Sequence, residues 1–340
     1  MNRLTTALLF RSGVLPYLRR QWRADQQQTE SKAEGRVLRR LDELANRLQA
    51  TSALADDLDA LQQEVRLLRA AALFNAQHPE RRHAPDALDH DRVVAHIGRA
   101  VEAALFDARP MPHLVLSNLM PPDTYAALLD AIPPREFFSQ KDEKKQNFRL
   151  SGGDVVPEWT LTAVRFLEES IIRLALVPAL LRAFLPHMRD VYAASYGPTM
   201  GARVADLPHS ATAGRLMLRR PGYHLDPHLD PRRVIITCLI YFAKPGEDEA
   251  FGTTLFRIDG APKVDQQHTY YPEEHGFRCE FVKAVPFRPN TAVAFLNAGG
   301  AHGADIPKTA PKDTERYSYQ FYVSPDPAAL AAALGRDDQK

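Results

Sequence analysis

The second half of the chain consists of short apolar segments separated by turn-forming residues, and this pattern restricts the fold more than any other feature. The segments are rich in β-branched and aromatic residues, and clusters of Pro, Gly, Asn and Asp divide them. Segments of this length and spacing are typical of strands in an all-β sandwich or barrel. The predicted strands are 215–219, 234–242, 253–258, 279–285, 292–296 and 316–323.

The first half has a helical pattern instead. Apolar residues recur at helical spacing over 93–106 and 159–185, and a proline-led helix follows Met120. One apolar segment in this half, 112–119, is predicted to be a strand. Helices first and strands second predict an α+β protein in which a helical layer packs on a β-core.

A heptad-like pattern occupies the region before these elements. Its apolar residues recur at alternating spacings of four and three, which is typical of the seam of a coiled coil. They are Leu54, Leu58, Leu61, Val65, Leu68 and Ala72. We predict a coiled-coil helix over 34–76 that joins copies of the chain into a homo-oligomer; the alternative is an amphipathic helix folded against the rest of the chain. A flexible basic segment over 1–33, a linker over 77–90 and one domain over 91–330 complete the prediction.

Charge and cysteine content restrict the partners and the compartment. The chain has 43 Lys and Arg against 42 Asp and Glu, which gives no electrostatic reason to expect nucleic acid binding. The two cysteines form no disulfide framework, and Cys238 is expected to be a buried thiol. A reducing cytoplasm fits this content. No apolar run approaches the ~20 residues of a membrane-spanning helix, so no transmembrane span is expected.

Two histidines and one aspartate are candidate metal ligands. His228 and Asp230 are two residues apart, so in extended chain both side chains point to one face. His302 follows the apolar segment 292–296. Non-haem iron(II) oxygenases bind their metal through two histidines and one carboxylate, and this ligand set leaves the other coordination positions open. The motif His-x-Asp is weak alone, because His224 and Asp226 form a second copy.

The residues around these ligands resemble a known family. The segment 219–242, read as RRPGYHLDPHLDPRRVIITCLIYF, and the segment 292–303, AVAFLNAGGAHG, are similar to motifs of the 2-oxoglutarate oxygenase superfamily, in its prolyl-hydroxylase-like branch. The Arg-x-Ser at Arg316 and Ser318 matches the closing strand of that family. The Pro-Gly lead-in and the strand ending at Tyr241 select His228 and Asp230 over the earlier copy, which leaves His224 and Asp226 as rim residues.

The resemblance implies a double-stranded β-helix (jelly-roll) core that binds Fe(II), 2-oxoglutarate and O2, with ascorbate as a candidate reductant. His228, Asp230 and His302 are the expected iron ligands and catalytic residues. Arg316 is expected to bind the distal carboxylate of 2-oxoglutarate, because a buried carboxylate needs a fixed, planar cation. Ser318 and Tyr241 are expected to add hydroxyl donors.

The implied reaction is a dioxygenase reaction. Conversion of 2-oxoglutarate to succinate and carbon dioxide is coupled to hydroxylation of a substrate, and the aspartate ligand favours hydroxylation over halogenation. The substrate stays open between a peptidyl or free proline and a small metabolite. The alternative function is a catalytically weak jelly-roll binding module that assembles through its coiled coil.

One loop is a candidate lid. The segment 259–276 interrupts the predicted strands and is rich in Gln, His and Tyr. His268 and His275 in this loop are expected to be solvated residues rather than ligands of a second metal, because no further ligand spacing accompanies them.

Overall fold

A computed structural model describes residues 39–41, 43, 55–77, 86–139, 141–150, 155–260 and 267–335 of the 340-residue chain. The chain divides into two units, Met1–Arg69 and Ala70–Lys340. The predicted basic segment 1–33 and most of the predicted linker 77–90 lie outside the described residues. The boundaries predicted for those two regions stay predictions.

Eleven strands form two antiparallel sheets in the described part of the second unit. The large sheet has the order β1-β2-β9-β6-β11-β4-β3, and the small sheet has the order β5-β10-β7-β8. Their bounds are β1 Phe106–Asp107, β2 His113–Ser117, β3 Lys145–Phe148, β4 His209–Arg219, β5 His224–His228, β6 Ile236–Tyr241, β7 Thr253–Ile258, β8 Cys279–Val285, β9 Thr291–Leu296, β10 Gly300–Asp305 and β11 Arg316–Pro325.

The strand order is that of a jelly roll. Strands β4 to β11 are counted here as one to eight. One, eight, three and six lie in the large sheet, and two, seven, four and five lie in the small one, so the chain changes sheet at every step except between β7 and β8. This connectivity confirms the predicted α+β jelly-roll core. It also places the C-terminal end of β5 and the middle of β10 side by side, because β5 and β10 are neighbours in the small sheet.

Seven α-helices are described. They are α1 Ala55–Gln77, α2 His90–Ala103, α3 Pro122–Asp130, α4 Glu158–Phe166, α5 Val177–Tyr196, α6 Pro198–Arg203 and α7 Pro327–Ala333. Between α4 and α5 the chain continues as a π-helix over Leu167–Leu176. Asp89 caps α2, since its side chain accepts a hydrogen bond from the backbone N–H of Arg92 (2.8 Å).

One helical stretch of the described residues, Glu158–Tyr196, is long and apolar enough to cross a membrane by length and composition. Half of its most apolar window is buried inside the protein. Leu176, Leu180 and Phe184 are completely covered and belong to the main core. A buried core helix passes the same test of length and composition, so this helix is weak support for a membrane span.

Strand alternation separates two apolar layers. On β11, Tyr317 and Tyr319 pack with the helices on the outer face of the large sheet. Met217, Leu239 and Phe295 face the other way and fill the space between the two sheets. Ligands bound between the sheets therefore meet the side chains that share this inner face, including every second residue of β4, β6 and β11.

Most predicted strands occur, but two strands that carry the candidate metal ligands were not predicted. The segments 253–258 and 279–285 match β7 and β8, and the other predicted strands shift by a few residues. β5 contains proline and three polar residues, and β10 consists mostly of small residues. Both lack the β-branched composition by which strands are recognised, so pairing with neighbours decides their conformation.

The predicted coiled coil is described only in part. Helix α1 covers the second half of the predicted region, and Leu61 and Leu68 of the predicted seam are buried. At its C-terminal end Phe74 packs against the main core, and the Asn75 side chain accepts a hydrogen bond from the backbone N–H of Glu158 (3.2 Å). A helix is therefore present, and its role in self-association stays a prediction.

Candidate metal and carboxylate-binding site

The three predicted metal ligands converge between the sheets. One ligand atom from each of His228, Asp230 and His302 lies within 4.8 Å of the others, and all three side chains are buried. His228 and His302 are directly paired across β5 and β10, with ring centroids 4.1 Å apart. His302 Nε2 lies 3.7 Å from Asp230 Oδ2. No other such group of His, Cys, Asp or Glu occurs among the residues that the structure describes.

The tautomer of His228 leaves one ring nitrogen free for a metal. Its Nδ1 lies 2.9 Å from the backbone carbonyl oxygen of Asp226. Because a carbonyl can only accept, Nδ1 carries the proton and the lone pair of Nε2 is available. A hydrogen bond of this kind fixes the ring orientation of a histidine ligand.

A glycine after His302 permits the close pairing of β10 with β5. A Cβ atom at Gly303 would lie 2.7 Å from the backbone carbonyl oxygen of Leu225, so a larger residue would push the strands apart. The His-Gly pair read from the sequence therefore has a physical reason: the glycine lets the histidine strand approach the strand that carries His228.

Two hydroxyl groups orient the Asp230 carboxylate. Thr237 Oγ1 donates to Oδ2 (2.6 Å) and the Tyr322 hydroxyl donates to Oδ1 (3.0 Å). The backbone of Asp230 is held as well, because its N–H donates to Asn297 Oδ1 (3.0 Å) and its carbonyl accepts from Asn297 Nδ2 (2.7 Å). These three supporting residues were not predicted from the sequence, since polar residues scattered over distant strands form no local motif.

Burial keeps both histidines neutral. Removal from water, together with the neighbouring His228, lowers the pKa of His302 to about 3. Burial also lowers the pKa of His228. Neutral imidazoles are the form that binds metal ions, so the environment favours the ligand state of both rings.

Arg316 is a buried cation that pairs with no carboxylate among the residues that the structure describes. It is 2% exposed, and burial lowers its pKa. Its Nε donates to the backbone carbonyl of Phe251, and Nη1 contacts Ser318 Oγ at 3.4 Å, while Nη2 has no hydrogen-bond partner. A guanidinium stays charged in proteins, and an unpaired buried charge is costly. This orphaned donor fits an anionic ligand, and the carboxylate of 2-oxoglutarate is such a group.

Tyr241 and Ser318, the two predicted hydroxyl donors, lie beside Arg316. They are paired in register across β6 and β11, and the Arg316 guanidinium carbon lies 5.5 Å from the Tyr241 ring centroid. The Tyr241 hydroxyl donates to Thr253 Oγ1 (2.7 Å) and accepts from the Thr253 backbone N–H (3.1 Å). Donation to a ligand carboxylate would therefore require this hydroxyl to turn away from Thr253. The role of Tyr241 stays a prediction.

The second His-x-Asp copy forms an exposed cluster apart from the metal ligands. His224 Nδ1 lies 2.9 Å from Asp305 Oδ1, and Nε2 lies 2.9 Å from Asp226 Oδ1. The carboxylates of Asp305 and Asp226 raise the pKa of His224. Both ring nitrogens thus contact carboxylates, and the contact with Asp305 links β5 to the end of β10.

The described part of the predicted lid lies against the metal residues. Tyr270 exchanges two backbone hydrogen bonds of 2.9 Å with Leu229, which stands between His228 and Asp230. The Tyr271 ring centroid lies 5.7 Å from that of His228. His268 and His275 are exposed, and His275 stacks on Tyr270. Residues 261–266 lie outside the described part of the loop, and closure over the site stays a prediction.

Comparisons with known proteins gave matches only among solved structures. No family model and no curated protein matches the chain. A prolyl-4-hydroxylase from Pseudomonas putida is 14% identical, with 68% of this chain and 98% of that chain covered and a TM-score of 0.37. A prolyl 4-hydroxylase from Phytophthora capsici is 16% identical, with 73% of each chain covered and a TM-score of 0.38.

A third similar structure is HygX from Streptomyces hygroscopicus, with nickel, 2-oxoglutarate and hygromycin B bound. It is 13% identical, with 63% of this chain and 82% of that chain covered and a TM-score of 0.35. Likenesses of this degree indicate no activity by themselves, so the chemistry of this chain has to be inferred from its own residues.

Proposed function

We propose that this chain is a non-haem Fe(II)- and 2-oxoglutarate-dependent dioxygenase that hydroxylates an organic substrate. The observation that carries the proposal is the orphaned Nη2 of Arg316, a buried cationic donor on the same inner face of a jelly roll that holds a His-Asp-His group. A metal-binding jelly roll alone has no need for a buried, unpaired guanidinium. A cosubstrate with one metal-chelating end and one carboxylate end needs both.

The residues divide the work by their chemistry. His228, Asp230 and His302 would hold iron, with the carboxylate oriented by Thr237 and Tyr322. Three protein ligands leave metal positions open for other molecules. When bound, iron supplies the activation of dioxygen that couples oxidative decarboxylation of 2-oxoglutarate to substrate hydroxylation.

The surroundings of the site exclude water from the cosubstrate carboxylate. Arg316 is covered by the rings of Tyr241 and Phe287, whose centroids lie 5.5 Å and 5.1 Å from the guanidinium carbon. In such a low-dielectric pocket a guanidinium–carboxylate pair is stronger than in water, provided that the geometry is bidentate. Arg316 would therefore fix the cosubstrate in one orientation while its other end meets the metal.

The substrate class follows from the resemblance only in outline: a peptidyl or free proline, or a small metabolite. The cytoplasm is the proposed location, and the proposed oligomer forms through α1 and the region before it. Neither proposal affects the chemistry of the site, since all of its residues come from one chain.

An anaerobic titration tests the function. Wild-type protein is mixed with Fe(II) and 2-oxoglutarate without oxygen, and we expect a visible charge-transfer band that saturates at one equivalent of each. Admission of oxygen should then produce succinate slowly even without substrate. Absence of the band in wild-type protein that binds divalent metal would contradict the dioxygenase proposal. It would favour the alternative function, a jelly-roll binding module.

A further inference from the structure

Three cations stand in one row across three neighbouring strands. Arg316 on β11 is paired in register with Arg219 on β4, and Arg219 is paired in register with Lys145 on β3. Residues directly opposite each other project to the same face of a sheet, with Cβ atoms about 5 Å apart. Arg219 shares its face of β4 with Met217, which packs between the two sheets. The row therefore lies on the inner face of the large sheet.

Arg219 resembles Arg316 in being buried without a carboxylate. It is 2% exposed, and its Nε is buried without a hydrogen-bond partner. Its other nitrogens donate only to neutral oxygens: Nη1 to the carbonyl of Gln146 (2.7 Å) and Nη2 to Asn147 Oδ1 (3.1 Å). Burial lowers its pKa, and the charge of Arg316 contributes to the lowering.

No member of the row forms a salt bridge with a carboxylate in the described part of the chain. Like charges directly opposite each other destabilise a sheet. Exposed carboxylates occur on the small sheet, but Asp226 and Asp305 are both hydrogen-bonded to His224.

The middle of the row lies where β4 leads into the strand of a metal ligand. Residues 220–223 connect Arg219, the last residue of β4, to β5, which ends at His228. The Tyr223 ring, 5.0 Å from the Arg219 guanidinium carbon, covers the middle of the row. An anion bound by Arg219, the in-register neighbour of Arg316, would therefore lie beside the carboxylate that Arg316 binds.

The proposed cosubstrate does not balance these charges. A divalent iron is neutralised by Asp230 and by the carboxylate that chelates it, and the distal carboxylate neutralises Arg316. Arg219 then remains a buried positive charge without an anion, and the exposed Lys145 beside it adds a second cation. Arg215, further along the same face of β4, is another cation, and its side-chain partners Gln320 and Tyr322 are neutral.

We propose that the substrate oxidised at this site carries an anionic group, a carboxylate or a phosphate ester, that Arg219 and Lys145 bind beside the cosubstrate. This inference rests on the proposed function, because it assigns Arg316 to 2-oxoglutarate. It restricts the substrate to acidic small molecules or acidic side chains. A neutral proline residue would leave the buried Arg219 cation unpaired.

Probe anions test the site on the full-length protein. The chain is first saturated with Mn(II), which replaces iron without redox chemistry, and with 2-oxoglutarate. Sulfate then stands in for a phosphate ester and acetate for a carboxylate, with chloride at equal ionic strength as the reference. The readouts are the thermal midpoint as a function of anion concentration and the dissociation constant of 2-oxoglutarate.

We expect sulfate or acetate to raise the midpoint above the chloride reference in the wild type, because an anion that binds only the native state stabilises it. Arg219→Lys should weaken binding of the stabilising anion about tenfold, because a point charge replaces a planar donor. Lys145→Gln should weaken it about threefold, because the charge is lost. Lys141→Gln, an exposed lysine ahead of the row, is the matched control and should change nothing.

The variants also separate the two carboxylate sites. Arg316→Lys should weaken the binding of 2-oxoglutarate. Arg219→Lys and Lys145→Gln should change the dissociation constant of 2-oxoglutarate less than about twofold. Equal anion binding by the wild type and both variants, or no effect beyond chloride, overturns the inference. So does a loss of 2-oxoglutarate binding in Arg219→Lys as large as that in Arg316→Lys. Failure of the wild type to bind Mn(II) and 2-oxoglutarate, measured before any anion is added, overturns the proposed function itself.

Discussion

Thr237 donates a hydrogen bond of 2.6 Å to Oδ2 of Asp230 from inside the large sheet. Tyr322, the in-register partner of Thr237 on β11, donates to the other carboxylate oxygen at 3.0 Å. Burial and the Asp230 charge raise the pKa of Tyr322 to about 12, so its hydroxyl stays protonated and remains a donor. Two neighbouring strands thus hold the carboxylate of a loop residue in one orientation.

Removal of either donor should weaken metal binding without removing a ligand. We expect Thr237→Val and Tyr322→Phe each to weaken Mn(II) binding by about 10- to 100-fold, the range for residues that orient a metal ligand. Tyr317→Phe is the matched control, because that hydroxyl bonds Glu315 on the outer face of the sheet. Electron paramagnetic resonance of free Mn(II) measures the affinity, and unchanged affinity in both variants would contradict the orienting role.

The two His-x-Asp copies should differ sharply in metal binding. His228→Ala removes a buried ligand and is expected to weaken Mn(II) binding by more than about 100-fold, beyond the loss from an orienting residue. His224→Ala removes an exposed ring held between Asp305 and Asp226 and should change the affinity less than about threefold. Equal losses in the two variants would show that the ligand assignment is wrong.

Arg316 should contribute to cosubstrate binding at the expense of stability. Replacement of an unpaired buried charge by an apolar side chain of similar length is often neutral or stabilising. Arg316→Met should therefore abolish 2-oxoglutarate binding while the free energy of unfolding of the ligand-free protein stays equal or rises by about 1 kcal/mol.

Isothermal calorimetry and urea unfolding measure these two effects of Arg316→Met. Arg257→Gln is the control, because that arginine is exposed and paired with Glu280. A large loss of stability in Arg316→Met, with 2-oxoglutarate still bound, would contradict the assignment.

A buried histidine away from the metal ligands should make the stability depend on pH. His113 is 1% exposed, and its Nδ1 lies 2.9 Å from the carbonyl of Met111. Burial lowers its pKa, and the Lys283 ammonium, 3.3 Å from Nε2, lowers it further. The native state therefore stays unprotonated while the unfolded state binds a proton below about pH 6.5.

The sign of the pH effect follows from this difference in bound protons. Below about pH 6.5 the unfolded chain holds more protons, so the free energy of unfolding decreases as the pH falls, by at most ~1.4 kcal/mol per pH unit from this group. The decrease ends at the lowered native pKa. Urea midpoints at about pH 7.5 and 5.5 should drop less in His113→Gln than in the wild type, and His90→Gln, an exposed histidine, should leave the drop unchanged.

The predicted coiled coil should determine the oligomeric state of the protein in solution. Val65 lies on the predicted seam and is half-buried, whereas Arg66 is exposed. Val65→Glu places a charge in the seam and should shift sedimentation equilibrium toward the monomer, whereas Arg66→Glu should not. A wild-type chain that sediments as a monomer at tens of micromolar would favour the alternative, an amphipathic helix that serves only its own chain.

The strand pattern and two of the three candidate metal ligands, His228 and Asp230, could be predicted for the same reason: both are local. Strands β7 and β8 contain apolar and β-branched residues between turn residues, and in the first half of β7 period-two alternation indicates which face is buried. His228 and Asp230 stand two residues apart, and Arg316 and Ser318 do so as well. Such pairs are visible in a sequence because neighbouring residues carry the geometry.

Other features depend on register between distant strands and could not be predicted. Thr237 and Tyr322 meet at Asp230 only because β6 and β11 pair with one particular offset. The row of Lys145, Arg219 and Arg316 likewise comes from three strands that are far apart in sequence.

The sequence by itself determined that this chain has a core of short β-strands with a helical layer and which residues are candidate ligands, because hydrophobic alternation and short motifs act over a few residues; the jelly roll was implied by the resemblance of its motifs to a known family. Tertiary structure alone decided which His-x-Asp copy is buried, which hydroxyls orient the aspartate, and that Lys145, Arg219 and Arg316 share one face of the large sheet. Burial and strand register are properties of the whole sheet, and a shift of one residue would turn every one of these side chains to the opposite face.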